Sequence, residues 1–324
     1  MPSNHILLLG AGFSRNWNAP LAGEVSSSLV QQFGNDPYIR QLLTDHGRNF
    51  ENALSQIQRE YLATPSATVA KDRLDKLQSA IIRMFDTLNS IFENSTNIEF
   101  SNDRQFSMRE YLTRFRAIFN LNQDLFLELQ YVPSVFPSPP SKWNGVEHPG
   151  LRPIVDPSII GIGDKHKRRW MPDSPPFTLH PNFQPHIKLH GSSNWFTSDG
   201  DRLLVMGGNK DFMIRKHELL LWYYNTFRWS LTQPDTKLMV IGYSFSDQHI
   251  NDLLIEAAKN GSLKGIFVVD PEGRAILNPT RHLPLRMHSE LEDIPNLGSS
   301  TRLLSATFAG DQFEHQKFIS FFDP

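Results

Sequence analysis

The sequence predicts an α/β fold: a Rossmann-like, doubly wound parallel sheet with a large helical insertion after the first strand. Three observations lead there. Short apolar runs without alternation recur at 5–9, 237–241 and 265–269, as strands buried on both faces require. Several runs break directly into glycine or small polar clusters, the signature of a strand feeding a functional loop. In the second half of the chain, such runs alternate with amphipathic helical segments.

Taken in order, His5-Ile6-Leu7-Leu8-Leu9 reads as the first strand and ends in glycines. Residues 26–33, 37–43, 50–62, 69–92 and 108–116 then carry apolar side chains at three-to-four spacing and read as helices. The longest places Leu74, Leu77, Ile81 and Met84 or Phe85 on one face. Strand character resumes at Ala117-Ile118-Phe119. A parallel crossover needs about a dozen residues, so 22–116 reads as a helical subdomain inserted into a sheet domain made of 1–21 and 117–324.

From 131 to 185 the chain holds twelve of its 22 prolines, which forbids long helices and suggests a lid or a partner surface. The sheet is expected to return at 186–190, followed by a hairpin within 195–206 and a helix at 216–231. A strand at 237–241, a helix at 247–259, a strand at 265–269 and a last strand at 303–308 complete the prediction.

Composition bounds the function. Hydrophobic content of 39% and charged content of 20% suit a globular protein, and a net charge of -2 gives no electrostatic case for direct nucleic-acid binding. The basic run Lys165-His166-Lys167-Arg168-Arg169 reads as a solvated loop. The absence of cysteine excludes disulfides, thiolate catalysis and cysteine-ligated zinc. His186 and His190 sit four apart on a strand and no H-E-x-x-H occurs, so no metal is expected. No apolar stretch approaches the ~18–20 residues of a membrane span and no leader pattern opens the chain, so a cytoplasmic location is expected.

The chemistry concentrates at predicted strand ends. Gly10-Ala11-Gly12-Phe13-Ser14 offers a tight turn where backbone N–H groups can approach a phosphate, although it lacks the third glycine of G-x-G-x-x-G and any G-K-[ST]. Asn122 and Asp124, in Asn120-Leu121-Asn122-Gln123-Asp124, can hold a ribose hydroxyl and a water, or simply cap the next helix. His190, followed by Gly191 and Ser192, can serve as a general base or as a turn residue. Gly242 and Ser244 repeat the glycine-loop logic after the strand at 237–241. Asp270 ends the next strand, where a carboxylate can accept from an adenosine ribose or shape a turn before Pro271.

Together these segments resemble the sirtuin family of NAD-consuming enzymes, in its prokaryotic branch associated with antiviral defence. Gly10-Ala11-Gly12-Phe13-Ser14 is similar to that family's glycine–alanine–glycine–x–serine loop, and Asn122-Gln123-Asp124 to its asparagine–x–aspartate motif. Lys188-Leu189-His190-Gly191-Ser192 is similar to its catalytic histidine segment, and Gly242-Tyr243-Ser244-Phe245 stands where its second phosphate- or ribose-binding loop lies. The resemblance implies that Asn122 positions the nicotinamide ribose and the attacking water and that His190 is the base. It also implies that Gly10, Ala11, Gly12, Phe13, Ser14, Asp124, Gly242, Ser244 and Asp270 form the NAD+ pocket.

Two departures shape the expectation. The family's deacylases carry a four-cysteine zinc module that this chain cannot build. They also follow the glycine loop with glycine–isoleucine–proline and phenylalanine–arginine, whereas Ala19-Pro20-Leu21-Ala22-Gly23 keeps only the proline. The resemblance therefore implies an NAD+ glycohydrolase that uses NAD+ as substrate without a metal, the toxic effector of an antiphage system. It also implies a homo-oligomer or a partner that gates it, such as a helicase-like ATPase (HerA-type) or an Argonaute-like protein, through 22–118 or 131–185. An NAD-dependent deacylase or ADP-ribosyltransferase, or a non-catalytic NAD or ADP-ribose sensor, is the alternative.

Overall fold

The structure is a computed structural model that describes residues 4–47, 49–66, 68–132, 143–154 and 165–323. Of the proline-rich stretch expected to be a lid or partner surface, 133–142 and 155–164 lie outside the described residues.

The strands are β1 (Asn4–Leu9), β2 (Ala117–Asn120), β3 (Gly145–Glu147), β4 (Leu151–Ile154), β5 (Arg169–Pro172) and β6 (Phe183–Lys188). They continue with β7 (Gly191–Phe196), β8 (Arg202–Leu204), β9 (Thr236–Ile241), β10 (Leu263–Val269) and β11 (Asn296–Ser300). Seven form one parallel sheet in the order β11-β10-β9-β1-β2-β6-β3. The chain thus starts at the sheet's centre, winds outward through β2 and β6, then returns to wind the other way from β9. That reversal between β1 and β9 opens a crevice at the carboxyl ends of the strands.

The unbroken apolar runs follow from burial on both faces. Along β1, Ile6 and Leu8 enter one core cluster while Leu7 and Leu9 enter the other. The first face is covered by α9 (Glu218–Leu231) and α10 (Gln248–Lys259), which follow the short helix α8 (Lys210–Lys216). The other face carries α6 (Met108–Leu112), α7 (Phe126–Gln130), α11 (Leu304–Thr307) and α12 (Gln312–Ser320).

The segment between β1 and β2 is helical, with α1 (Ala11–Arg15), α2 (Ala22–Gln32), α3 (Pro37–Asp45), α4 (Phe50–Ala63) and α5 (Thr68–Ser95). Helices α2 to α5 enclose an apolar cluster of their own, including Leu29, Ile39, Leu54, Ile57, Leu77 and Ile81. Helix α5 belongs to both cores: Leu77, Ile81 and Phe85 face the helical cluster, whereas Leu88 and Phe92 pack beneath the sheet.

Three expectations are corrected. Residues 303–308 hold the short helix α11, with Leu303 and Phe308 at its caps, rather than a last strand. Asn16 Oδ1 accepts from the Leu304 N–H at 2.9 Å, and Leu304 and Phe308 bury one helical stripe. The actual edge strand, Asn-Leu-Gly-Ser-Ser, has too few apolar residues to announce itself. The apolar segment 186–190 splits after Lys188, and Gly191 begins β7 in a second sheet of order β4-β5-β7-β8. Gly191 has φ +71°, and a Cβ there would stand 2.1 Å from the Leu203 carbonyl oxygen, so the corner requires glycine. The basic run is docked, not merely solvated: the Lys165 and His166 N–H groups donate to the Glu93 carboxylate of α5 at 2.8 and 3.0 Å.

Candidate functional site

A cavity of about 670 Å³ occupies the crevice at the carboxyl ends of β1, β2, β6, β9 and β10. Its floor is two glycine loops packed backbone against backbone. Gly10 N–H donates to the Ile241 carbonyl at 3.0 Å and Gly12 N–H to the Gly242 carbonyl at 2.8 Å. Gly242 has φ +62°, and a Cβ there would lie 2.3 Å from the Gly12 backbone. Phe13 N–H turns back to the Gly10 carbonyl at 2.9 Å, so among the amides of Gly10 to Phe13 that of Ala11 alone makes no backbone hydrogen bond among the described residues. Ala11 is exposed and lines the cavity.

The loop after β2 forms one wall. Asn120 Oδ1 accepts the Asn122 N–H at 2.8 Å, and Gln123 spans to the Val205 carbonyl at 2.6 Å. Asn122 Nδ2 donates to Ser14 Oγ at 3.1 Å, and Ser14 in turn hydrogen-bonds the Asp124 carboxylate. Asp124 Oδ1 also accepts the Phe126 N–H, the first of α7, at 3.0 Å from one residue ahead of the N-cap Leu125. Burial raises the Asp124 pKa, against the opposing charge of Lys188 and these hydrogen bonds. Lys188, fully buried, donates to the Asp124 carbonyl, Glu128 Oε1 and Ser192 Oγ at 2.5, 2.6 and 2.9 Å. It fixes the loop from behind.

His190 stands where β6 leaves the large sheet. Its backbone carbonyl accepts from the Val205 N–H at 2.9 Å, and its ring bonds the Leu121 backbone. Burial lowers its pKa to about 3, against the raising influence of Asp247, so the imidazole is neutral near pH 7. Its Nε2 lies 3.0 Å from Nε2 of His249.

At the far end, Ser244 is exposed and pairs with Ser246 at 3.0 Å. Asp270 Oδ1 accepts the Glu272 N–H at 2.9 Å, so the turn role is real, and the residue also lines the cavity. The cavity therefore brings together Gly10, Ala11, Gly12, Asn122, Asp124, His190, Gly242, Ser244 and Asp270. It does not include Phe13 or Ser14. The Phe13 ring is fully buried against Trp17 and Phe126, and Ser14 acts from behind Asn122.

Sequence reasoning missed a polar group beside His190. Lys210 Nζ bridges Glu51 of α4 and Asp247 at 2.7 and 2.9 Å. Burial works to raise the Asp247 pKa, but His190, Lys210 and His249 bring it below the usual range. His190, Asp247 and His249 place one possible ligand atom each within 4.8 Å of one another. The Asp247-x-His249 pair just beyond the second glycine loop was the available signal. The expectation of no metal rests on the absence of cysteine and of H-E-x-x-H and on the strand spacing of His186 and His190, none of which involves His249.

No protein-family model and no curated protein matches the sequence. Among solved structures, a mutant Sir2 homologue in complex with ADP-ribose aligns over 98% of this chain and 93% of that chain, with a TM-score of 0.40 and 11% identity. The Rossmann-like assignment rests on the strand order itself. Among the described residues no helix is long and apolar enough to cross a membrane.

Proposed function

We propose that the protein is an NAD+ glycohydrolase of the sirtuin-like kind, releasing nicotinamide and ADP-ribose. The observation that carries this reading is the convergence of Asn122, His190 and both glycine loops, from four distant stretches of sequence, on one cavity. In this reading the diphosphate lies over Ala11 and Gly12 and near Ser244, the adenosine ribose reaches Asp270, and the nicotinamide ribose reaches Asn122.

The C1′–N bond breaks with its electron pair going to the pyridinium nitrogen, so nicotinamide leaves neutral and positive charge develops on the ribose. A water attacks C1′, and the neutral imidazole of His190 takes its proton. The ionised Asp247 stabilises the imidazolium that forms. With Nδ2 tied to Ser14, Asn122 presents its amide oxygen to the ribose or the water. The helical segment supplies Phe50, Phe85 and Leu88 to the cavity wall, apolar surface that excludes bulk water.

The same proposal makes the protein a gated effector of antiphage defence, acting as a homo-oligomer or beside a helicase-like ATPase (HerA-type) or an Argonaute-like partner. Chromatography of NAD+ incubated with the purified protein tests the chemistry. Nicotinamide and ADP-ribose are expected with wild type and absent with His190→Ala. Conversion only in the presence of an acylated or acceptor peptide would instead establish a deacylase or a transferase, and ligand-induced stabilisation without turnover would establish a sensor.

A further inference from the structure

The cluster beside the base has the composition of a metal site. His190 is fixed at the end of β6, Asp247 is the residue preceding α10, and His249 lies in the first turn of that helix. Two imidazole nitrogens bound to one zinc ion at ~2.0–2.1 Å stand about 2.9 Å apart at a right angle and about 3.3–3.4 Å apart at the tetrahedral angle. The observed Nε2 to Nε2 separation is 3.0 Å. With Nε2 facing His249, the His190 bond to the Leu121 backbone leaves from Nδ1, the orienting contact that metal-bound histidines make. The ring is thereby oriented as the tautomer whose Nε2 carries the lone pair, which accepts from His249 Nε2.

From this geometry we infer that His190, Asp247 and His249 form a binding site for a late first-row divalent ion, Zn2+ in the first instance. Two imidazoles and one carboxylate with an open position are a donor set for such ions, and the cavity supplies the open position. In the ion-free state one ring donates a proton to the other. On binding, His249 shifts its proton to Nδ1, the ion takes that proton's place, and no net charge leaves. Lys210 holds Asp247 Oδ1, which leaves Oδ2 for the ion, and Glu51 offsets the lysine's charge.

A filled site removes the lone pair that hydrolysis requires. The ion is therefore an inhibitor, and in this consequence alone the inference rests on the proposed role of His190.

The test is calorimetric titration of the full chain with Zn2+, alongside NAD+ turnover at matched ion concentrations. One ion per chain is expected. His249→Gln, at a partly buried position in the first turn of α10 and expected to fold, weakens binding by roughly a hundredfold, as does the near-isosteric Asp247→Asn. His288→Gln, at an exposed histidine that does not line the cavity, leaves it unchanged. The midpoint of Zn2+ inhibition tracks the binding midpoint in wild type and shifts with it in His249→Gln. Absence of binding, or binding indifferent to His249→Gln in a variant whose melting curve shows it folded, overturns the site. Binding that depends on His249 in a protein that never turns over NAD+ upholds the site and refutes the hydrolase reading. Turnover without ion binding does the reverse.

Discussion

Asn122 and Ser14, 108 positions apart in the chain, are joined by a 3.1 Å hydrogen bond from the amide to the hydroxyl. The same hydroxyl serves Asp124, so one small side chain orients two buried groups of the next loop. Ser14→Ala leaves both without that partner. A loss of about 1–3 kcal/mol is expected from urea unfolding, together with a fall in NAD+ turnover larger than any change in KM, because Asn122 loses its orientation.

The glycine loops distinguish steric from conformational cost. Gly242→Ala meets both a positive φ and the Gly12 backbone at 2.3 Å, and is expected to cost ~2–4 kcal/mol. Gly261→Ala has a similar φ of +73° with nothing within 4 Å, and is expected to cost only about 1 kcal/mol. Paired denaturation curves check the difference. Equal costs would mean that the two loops are not in contact.

Lys188 and Glu128 form an ion pair with side chains 0% and 10% exposed. Removing one charge strands the other, so Lys188→Met is expected to cost about 3–5 kcal/mol, whereas Lys188→Met with Glu128→Leu recovers most of it. A double-mutant cycle of unfolding free energies reads the coupling directly.

Glu93 gives a pH signature. Burial would raise its pKa, but hydrogen bonds from His166 and Lys165 win and hold it below 4.5. A depressed carboxylate contributes stability that is complete above its unfolded value and is lost as pH falls through the folded one. The melting temperature of wild type should therefore exceed that of Glu93→Gln at pH 7, and the gap should close as pH drops below about 4. A gap that stays constant down to pH 3 would place the Glu93 effect in packing rather than charge.

The parts of the fold legible in the sequence are those whose burial leaves a local trace. β1, β9 and β10 have apolar residues on both faces, and α3, α4 and α5 show clear helical stripes. β11 was invisible because an edge strand of Asn-Leu-Gly-Ser-Ser carries no such pattern, and 303–308 misled because its stripe of Leu304 and Phe308 fits a short helix. Within the site, the glycine loops, Asn122 and His190 were readable because their neighbours in sequence are also their neighbours in space. Lys210 and Glu51 were not, since tertiary packing alone brings α4 and α8 to Asp247, and the Asp247-x-His249 pair says nothing by itself of the His190 it meets.

Helix α5 spans 28 residues, about 42 Å at 1.5 Å per residue. Its middle is held among α2 to α4 through Leu77, Ile81 and Phe85, and near its C-terminal end Asn89 donates to Ser193 Oγ at 3.0 Å and accepts from the Leu125 N–H at 2.8 Å. A rod clamped in this way behaves as a lever. A load on the helical segment therefore has one unbroken helix along which to reach the loop of Asn122 and the strand that follows His190.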